Sequence, residues 1–203
     1  MRHRNGWTVA FGAVVLVVSC LSLFAEIPRG WFLAGTKPAD YEVAVDHESE
    51  YSHYTSVVLH AKRATVDGFV TLMQQFRADD YRGKRLRLSG SLKAEGVQDW
   101  AGLWMRVNQG KLVVAFDNMH DRPVRGTRGW HDYEIVLEIP LEATDISFGV
   151  LLNGTGVVRM SHPRLETVPS YVPTTGHAMK PTEMDQVSKA EFPQGPANLD
   201  FEN

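Results

Sequence analysis

The sequence predicts an all-β protein, an antiparallel β-sandwich preceded by an N-terminal hydrophobic membrane or signal helix. Three observations carry this. Between Lys84 and Leu165 apolar and polar residues alternate in short runs, the densest from Gly129 to Pro140, and such alternation marks half-buried antiparallel strands. Glycine- and asparagine-bearing turns separate the runs. Outside the first 25 residues no stretch sustains a helical period.

In chain order, Arg2 and Arg4 precede an uncharged run of 19 residues, Trp7 to Ala25, closed by Glu26. At about 1.5 Å per residue it nearly crosses a hydrocarbon core of roughly 30 Å. The leading arginines put the N-terminus in the cytoplasm and the remainder outside. Three fates stay open for residues 1–27: an uncleaved signal anchor, cleavage after Ala25, or lipidation at Cys20, since Val17-Val18-Ser19-Cys20 resembles a bacterial lipobox. The expected location is therefore membrane-anchored outside the cytoplasm, or secreted if the segment is cleaved.

Residues 28–168 form the expected sandwich. Trp31 to Gly35 reads as a short strand before a turn at Thr36-Lys37-Pro38, and Tyr41 to Val45 alternates again. Ser56 to Ala61 places Val57, Leu59 and Ala61 on one face, and Phe69 to Phe76 follows. From Lys84 to Lys93, Leu86, Leu88, Gly90 and Leu92 share a face opposite Arg85, Arg87, Ser89 and Ser91. Ala101 to Val107 and Leu112 to Asp117 flank Asn108-Gln109-Gly110 and should pair as a hairpin. After a basic loop from Arg122 to Gly129, the strand at Tyr133 to Ile139 stops at Pro140, with Tyr133, Ile135, Leu137 and Ile139 facing the core. Ile146 to Leu152 meets Asn153-Gly154, the strongest short hairpin signal. Val157 to Met160 and Arg164 to Val168 complete the pattern. Residues 169–195, rich in proline and polar residues, read as a flexible linker. In 196–203, Leu199 and Phe201 stand two apart, a spacing that would let both enter a core as a returning edge strand.

Composition removes several functions. The chain has 203 residues, 43% hydrophobic and 22% charged, enough for one sizeable core. A net charge of −3 leaves no broad basic field, so nucleic acid is not an expected partner. Cys20 is the only cysteine, which excludes disulfides, zinc-thiolate sites and a cysteine nucleophile from the exported part. There is no Gly-x-Ser-x-Gly elbow, no His-Glu-x-x-His and no phosphate-cradling loop. No enzyme is expected, no cofactor and no metal; His120, His131 and His162 are too dispersed for a metal signature.

Gly30 to Gly35, Trp100 to Arg106, Ala115 to Met119 and Trp130 to Gly156 resemble the galactose-binding-like jelly rolls related to carbohydrate-binding modules. In particular they resemble the uncharacterised type found alone or attached to bacterial transcriptional regulators. The resemblance implies a fold and not a particular sugar. Such modules commonly open with an Asn-x-x-Phe-Glu strand, whereas the matching Asn198 to Glu202 stands here at the C-terminus. That implies a tail that returns to supply this opening edge strand, as in a circular permutation, or the start of a second module. The family's closing strand often carries paired aspartates that, with the opening glutamate, hold calcium; Arg159-Met160-Ser161-His162 stands there instead.

If Leu103, Met105 and Val107 point inward, Trp104 and Arg106 point outward together, beside Arg87. An indole packs on the C–H face of a pyranose while a guanidinium bonds its hydroxyls. Gln74 or Gln75, according to register, with Asp117 and Asn118, would add polar contacts. Trp31, Trp100 and Trp130, at strand ends, read as core plugs. The expectation is an extracytoplasmic, membrane-tethered binding module for a carbohydrate or other small polar ligand, with the membrane reached through residues 7–25. The alternative is a non-catalytic structural or protein-interaction domain.

Overall fold

The alternating runs fold into ten antiparallel strands in a computed structural model that describes residues 27–47, 55–183 and 191–202. The expected membrane or signal helix lies outside the described residues. Among the described residues no helix is long and apolar enough to cross a membrane.

The strands are β1 (Phe32–Gly35), β2 (Tyr41–Asp46), β3 (Ser56–Ala61), β4 (Phe69–Arg77), β5 (Arg85–Gln109), β6 (Leu112–Asp117), β7 (Val124–Glu138), β8 (Asp145–Asn153), β9 (Val157–Val168) and β10 (His177–Glu183). Among the described residues the helices are two 3₁₀ turns, Pro38–Asp40 and Asp79–Tyr81.

The sheet folds over on itself along β5, whose 25 residues serve both layers. Its first part pairs with β7 and β9, its second with β8 and β6. Between them Gly96 takes a left-handed φ of 59° and the register to β7 shifts, which bends the strand from one layer to the other. One layer therefore runs β1-β4-β8-β5-β6-β10 and the other β2-β3-β9-β5-β7. Leu86, Leu88 and Leu92 on one stretch of β5, and Leu103, Met105 and Val107 on the other, enter a single core with Phe76, Phe148, Ile135 and Leu137. Tyr133 packs against it, partly buried.

Four sequence expectations change. The runs 84–93 and 101–107 are one strand, because its hydrogen bonding continues through the bend. The basic loop is the beginning of β7, whose Gly126 and Arg128 pair with Val97 and Ala94. Asn153-Gly154 does not close a hairpin. β8 pairs with β4 and β5 while β9 pairs with β3 and β5, so this turn carries the chain across layers, with Gly154 and Gly156 at φ of 73° and 115°. Finally, the stretch expected as a linker contains β10, bound to the edge of β6.

The C-terminal segment returns to the body without forming a strand. Arg77 N donates to the Pro193 carbonyl, and the Gln74 side chain accepts from Ala197 N while donating to its carbonyl. Trp31 Nε1 donates to the Asn198 carbonyl at 3.0 Å, and the Trp31 and Phe201 rings lie 5.2 Å apart. Phe201 is 1% exposed. Asn198 and Phe201 hold φ of 48° and 60°, outside the extended region, which explains why the segment packs as an irregular turn.

Candidate ligand-binding cleft

Strand parity builds the outer face of the first layer. On β4, Val70, Leu72, Gln74 and Phe76 are buried on the inner side, which leaves Thr71, Met73 and Gln75 outside. On β5 the same rule puts Trp104 and Arg106 opposite Leu103, Met105 and Val107. These outward residues line an open cleft of about 650 Å³, walled by Phe32, Trp100, Phe116 and Phe192.

Trp104 forms the floor. Paired with Gly149 of the intervening β8, it reaches across that strand to Thr71 on β4, and Nε1 donates to Thr71 Oγ1 at 2.6 Å. Thr71 Oγ1 in turn donates to the Val150 carbonyl at 2.9 Å, so both polar groups are satisfied. At Gly149 a Cβ would stand 2.1 Å from the Leu72 carbonyl oxygen, which keeps this crossing point free of a side chain. The indole is 6% exposed. Its expected role as an open stacking surface is therefore corrected: the indole is buried and bonded to Thr71.

Arg106 is half-buried, its Cζ 6.0 Å from the Trp104 ring centroid. Its Nη2 donates to Ser147 Oγ at 3.5 Å, a long bond, and Nε has no partner. Burial lowers its pKa, and the nearby Asp145 carboxylate works the other way. Asp145 is itself held by neutral donors: Gln75 Nε2 at 2.7 Å, Thr144 Oγ1 at 2.7 Å and Asn108 Nδ2.

Of the expected site residues, the cleft brings together Trp104, Arg106, Gln75 and Asn118. Three others are elsewhere. Arg87 lies on the β5 stretch of the other layer, where it faces Glu134 and Glu166 at 3.5 and 3.7 Å; the two runs read as neighbouring strands are one strand that changes layer. Gln74 has core parity and holds Ala197. Asp117 shares the inner parity of Met105 and accepts from Arg122 Nη2 at 2.7 Å, Thr175 Oγ1 at 2.6 Å and Met119 N at 2.8 Å. Burial would raise its pKa, but these donors hold it below the ordinary carboxylate value.

Trp31 plugs the core as expected, while Trp130 is only partly buried. Trp100 was missed as a cleft residue; it shares the parity of Trp104 and Arg106 and packs edge-on to His120 at 6.0 Å. Asp145 and Asn153, at the two ends of β8, were missed for want of any local signal, and Phe192 because its segment reads as linker.

Among the described residues no group of three His, Asp or Glu side chains converges to hold a metal ion. The calcium implied by the resemblance does not fit here. Arg159 puts a guanidinium between Asp46, at 2.9 Å, and Glu95, at 3.4 Å, and Glu202 accepts from Thr55 Oγ1 at 2.6 Å.

No protein-family model matches the chain. It is 43% identical over 176 residues to an uncharacterized HTH-type transcriptional regulator, YbfP, of Bacillus subtilis (strain 168). That alignment takes in 86% of this chain and 57% of the relative, so the chain spans little more than half of its length. Among solved structures, the enzymatically active domain of tailspike protein 4 of bacteriophage CBA120 aligns over 72% of this chain and 20% of its own. Its TM-score is 0.53 at 16% identity. A Stig cyclase, Fisc, from Fischerella sp. TAU aligns over 72% of this chain and 88% of its own, with a TM-score of 0.52 at 13% identity. At such identities these similarities concern the fold alone. The carbohydrate-binding module TmCBM61, solved in complex with β-1,4-galactotriose, covers 71% of this chain and 92% of its own, with a TM-score of 0.47 at 16% identity.

Proposed function

We propose that the chain is a non-catalytic binding module whose cleft holds a saccharide, displayed outside the cytoplasm and tethered through residues 7–25. The observation that carries the reading is the cleft itself. Aromatic walls from Phe32, Trp100 and Phe116 surround hydrogen-bonding groups from Arg106, Gln75, Asn118 and Asn153. Its volume of about 650 Å³ lies in the range of small-ligand sites. Sugars need this mixture, an apolar surface for ring C–H groups and side-chain donors and acceptors for hydroxyls. The same cleft would serve a module that reports a ligand within a regulator, the setting suggested by the name of the Bacillus relative. Tethering rests on the length and flanking charge of the N-terminal run.

The test is a glycan array probed with the full chain in mild detergent, followed by titration of the hits. Trp100→Ala, which removes a partly exposed wall, should weaken a saccharide hit about threefold to tenfold while leaving the melting temperature near wild type. An array without any saccharide signal would favour the protein-interaction alternative, with the exposed Phe32 in its contact surface.

A further inference from the structure

Among the described residues the arginines are either paired or wet, with one exception. Arg63, Arg77, Arg82, Arg85, Arg87, Arg122 and Arg159 each stand within 4.0 Å of a carboxylate. Arg29, Arg125, Arg128 and Arg164 are exposed. Among the described residues Arg106 alone is half-buried with no carboxylate in ion-pair range, its Nε buried and without a partner. Its protein contacts are one long bond to Ser147 Oγ and the indole of Trp104. Asp145, the one acidic residue lining the cleft, accepts from Gln75, Asn108 and Thr144, so neutral donors occupy its carboxylate.

A half-buried guanidinium with unfilled donors is unfavourable in the empty protein, and a carboxylate meeting it two-pronged relieves this. Charge-assisted pairs of that kind are about twice as strong as neutral hydrogen bonds. A neutral sugar hydroxyl would leave the guanidinium with only the longer-range attraction of Asp145. Burial lowers the proton affinity of Arg106 in spite of that attraction.

Resting on the saccharide reading above, we infer that the cleft selects an acidic sugar, a uronic acid residue whose carboxylate pairs with Arg106 while its ring lies against the aromatic walls. Arg106 stands mid-strand between β6 and β8, opposite Phe116 and Ser147, which places its guanidinium over the cleft.

The experiment is isothermal titration of the full chain in mild detergent with oligogalacturonate, oligoglucuronate and oligomannuronate, each beside its carboxyl-reduced neutral counterpart. At least one acid should bind about tenfold or more tighter than its reduced form. Arg106→Gln should remove that preference while the variant still binds the acidic and reduced sugars alike; Arg106→Lys should retain part of it. Circular dichroism confirms that each variant is folded. Equal affinity for acid and reduced forms, or a preference that survives Arg106→Gln, overturns the inference and leaves the saccharide reading standing. Binding of none of the six also overturns the inference, and the glycan array then decides the saccharide reading by itself.

Discussion

At the scale of residues, parity made part of the cleft legible and position in the fold decided the rest. Alternation alone put Trp104 and Arg106 on one side of β5, and the structure keeps them there. The same rule could not choose between Gln74 and Gln75, because Phe69 to Phe76 is apolar on both faces; only burial of Gln74 against Ala197 separates them. Arg87 was misplaced for a reason no local pattern reveals, since an even spacing along a strand says nothing of a change of layer. What sequence could not show at all is how Trp104 is held. Its indole N–H is buried and depends on Thr71 Oγ1 across β8. Thr71→Val keeps the shape and removes the acceptor, leaving an unsatisfied donor at a cost of about 1–3 kcal/mol. Chemical denaturation should register that loss, accompanied by a change in tryptophan fluorescence. An unchanged midpoint and spectrum would mean that the indole is fixed by packing alone.

At the scale of elements, the strand periods were readable and their connections were not. β3 and β6 carry the boundaries that alternation gives, and Met105 to Gln109 pairs with β6 as the Asn108-Gln109-Gly110 turn implies. Asn153-Gly154 misled because the left-handed glycine that suits a hairpin also suits an arch between layers; long-range pairing selects between them. The C-terminal residues show the same limit. Leu199 and Phe201 have strand spacing and do reach the core, yet the backbone there is turned and not extended. Their contribution is nonetheless large. Phe201 lies against Trp31, which contacts Phe148, which contacts Phe76. Phe201→Ala opens a cavity at the end of that aromatic series and should cost about 3–5 kcal/mol. For a chain of this size that corresponds to a fall in melting temperature on the order of ten degrees, measurable by calorimetry. A fall of a degree or less would show that the last residues decorate a sandwich already closed without them.

At the scale of the molecule, β5 serves both layers and the Tyr41 phenol ties together two of the crossings between them. Tyr41 begins β2 in one layer, 2% exposed, and its hydroxyl lies 2.8 Å from the Gly68 carbonyl ahead of β4 and 2.9 Å from the Gly154 carbonyl in the arch between β8 and β9. One O–H is thus shared between two backbone acceptors that belong to different crossings of the sandwich. Burial, with the negative charges of Asp40 and Asp99, pushes its pKa up to about 12 from an ordinary 10.0. A folded-state value above the unfolded one means that the stabilisation is complete below pH 10.0 and is lost as pH rises toward about 12. The phenolate would face two carbonyl oxygens with no proton to offer either, so alkali should loosen the layer crossings. Melting temperatures measured from pH 8 to 12 should therefore decline steeply at the alkaline end in the wild type. Tyr41→Phe should start lower at pH 8, having lost the bond, and decline less steeply, because the group that links stability to pH is gone. Parallel curves for the two proteins would show that Tyr41 does not couple the layers.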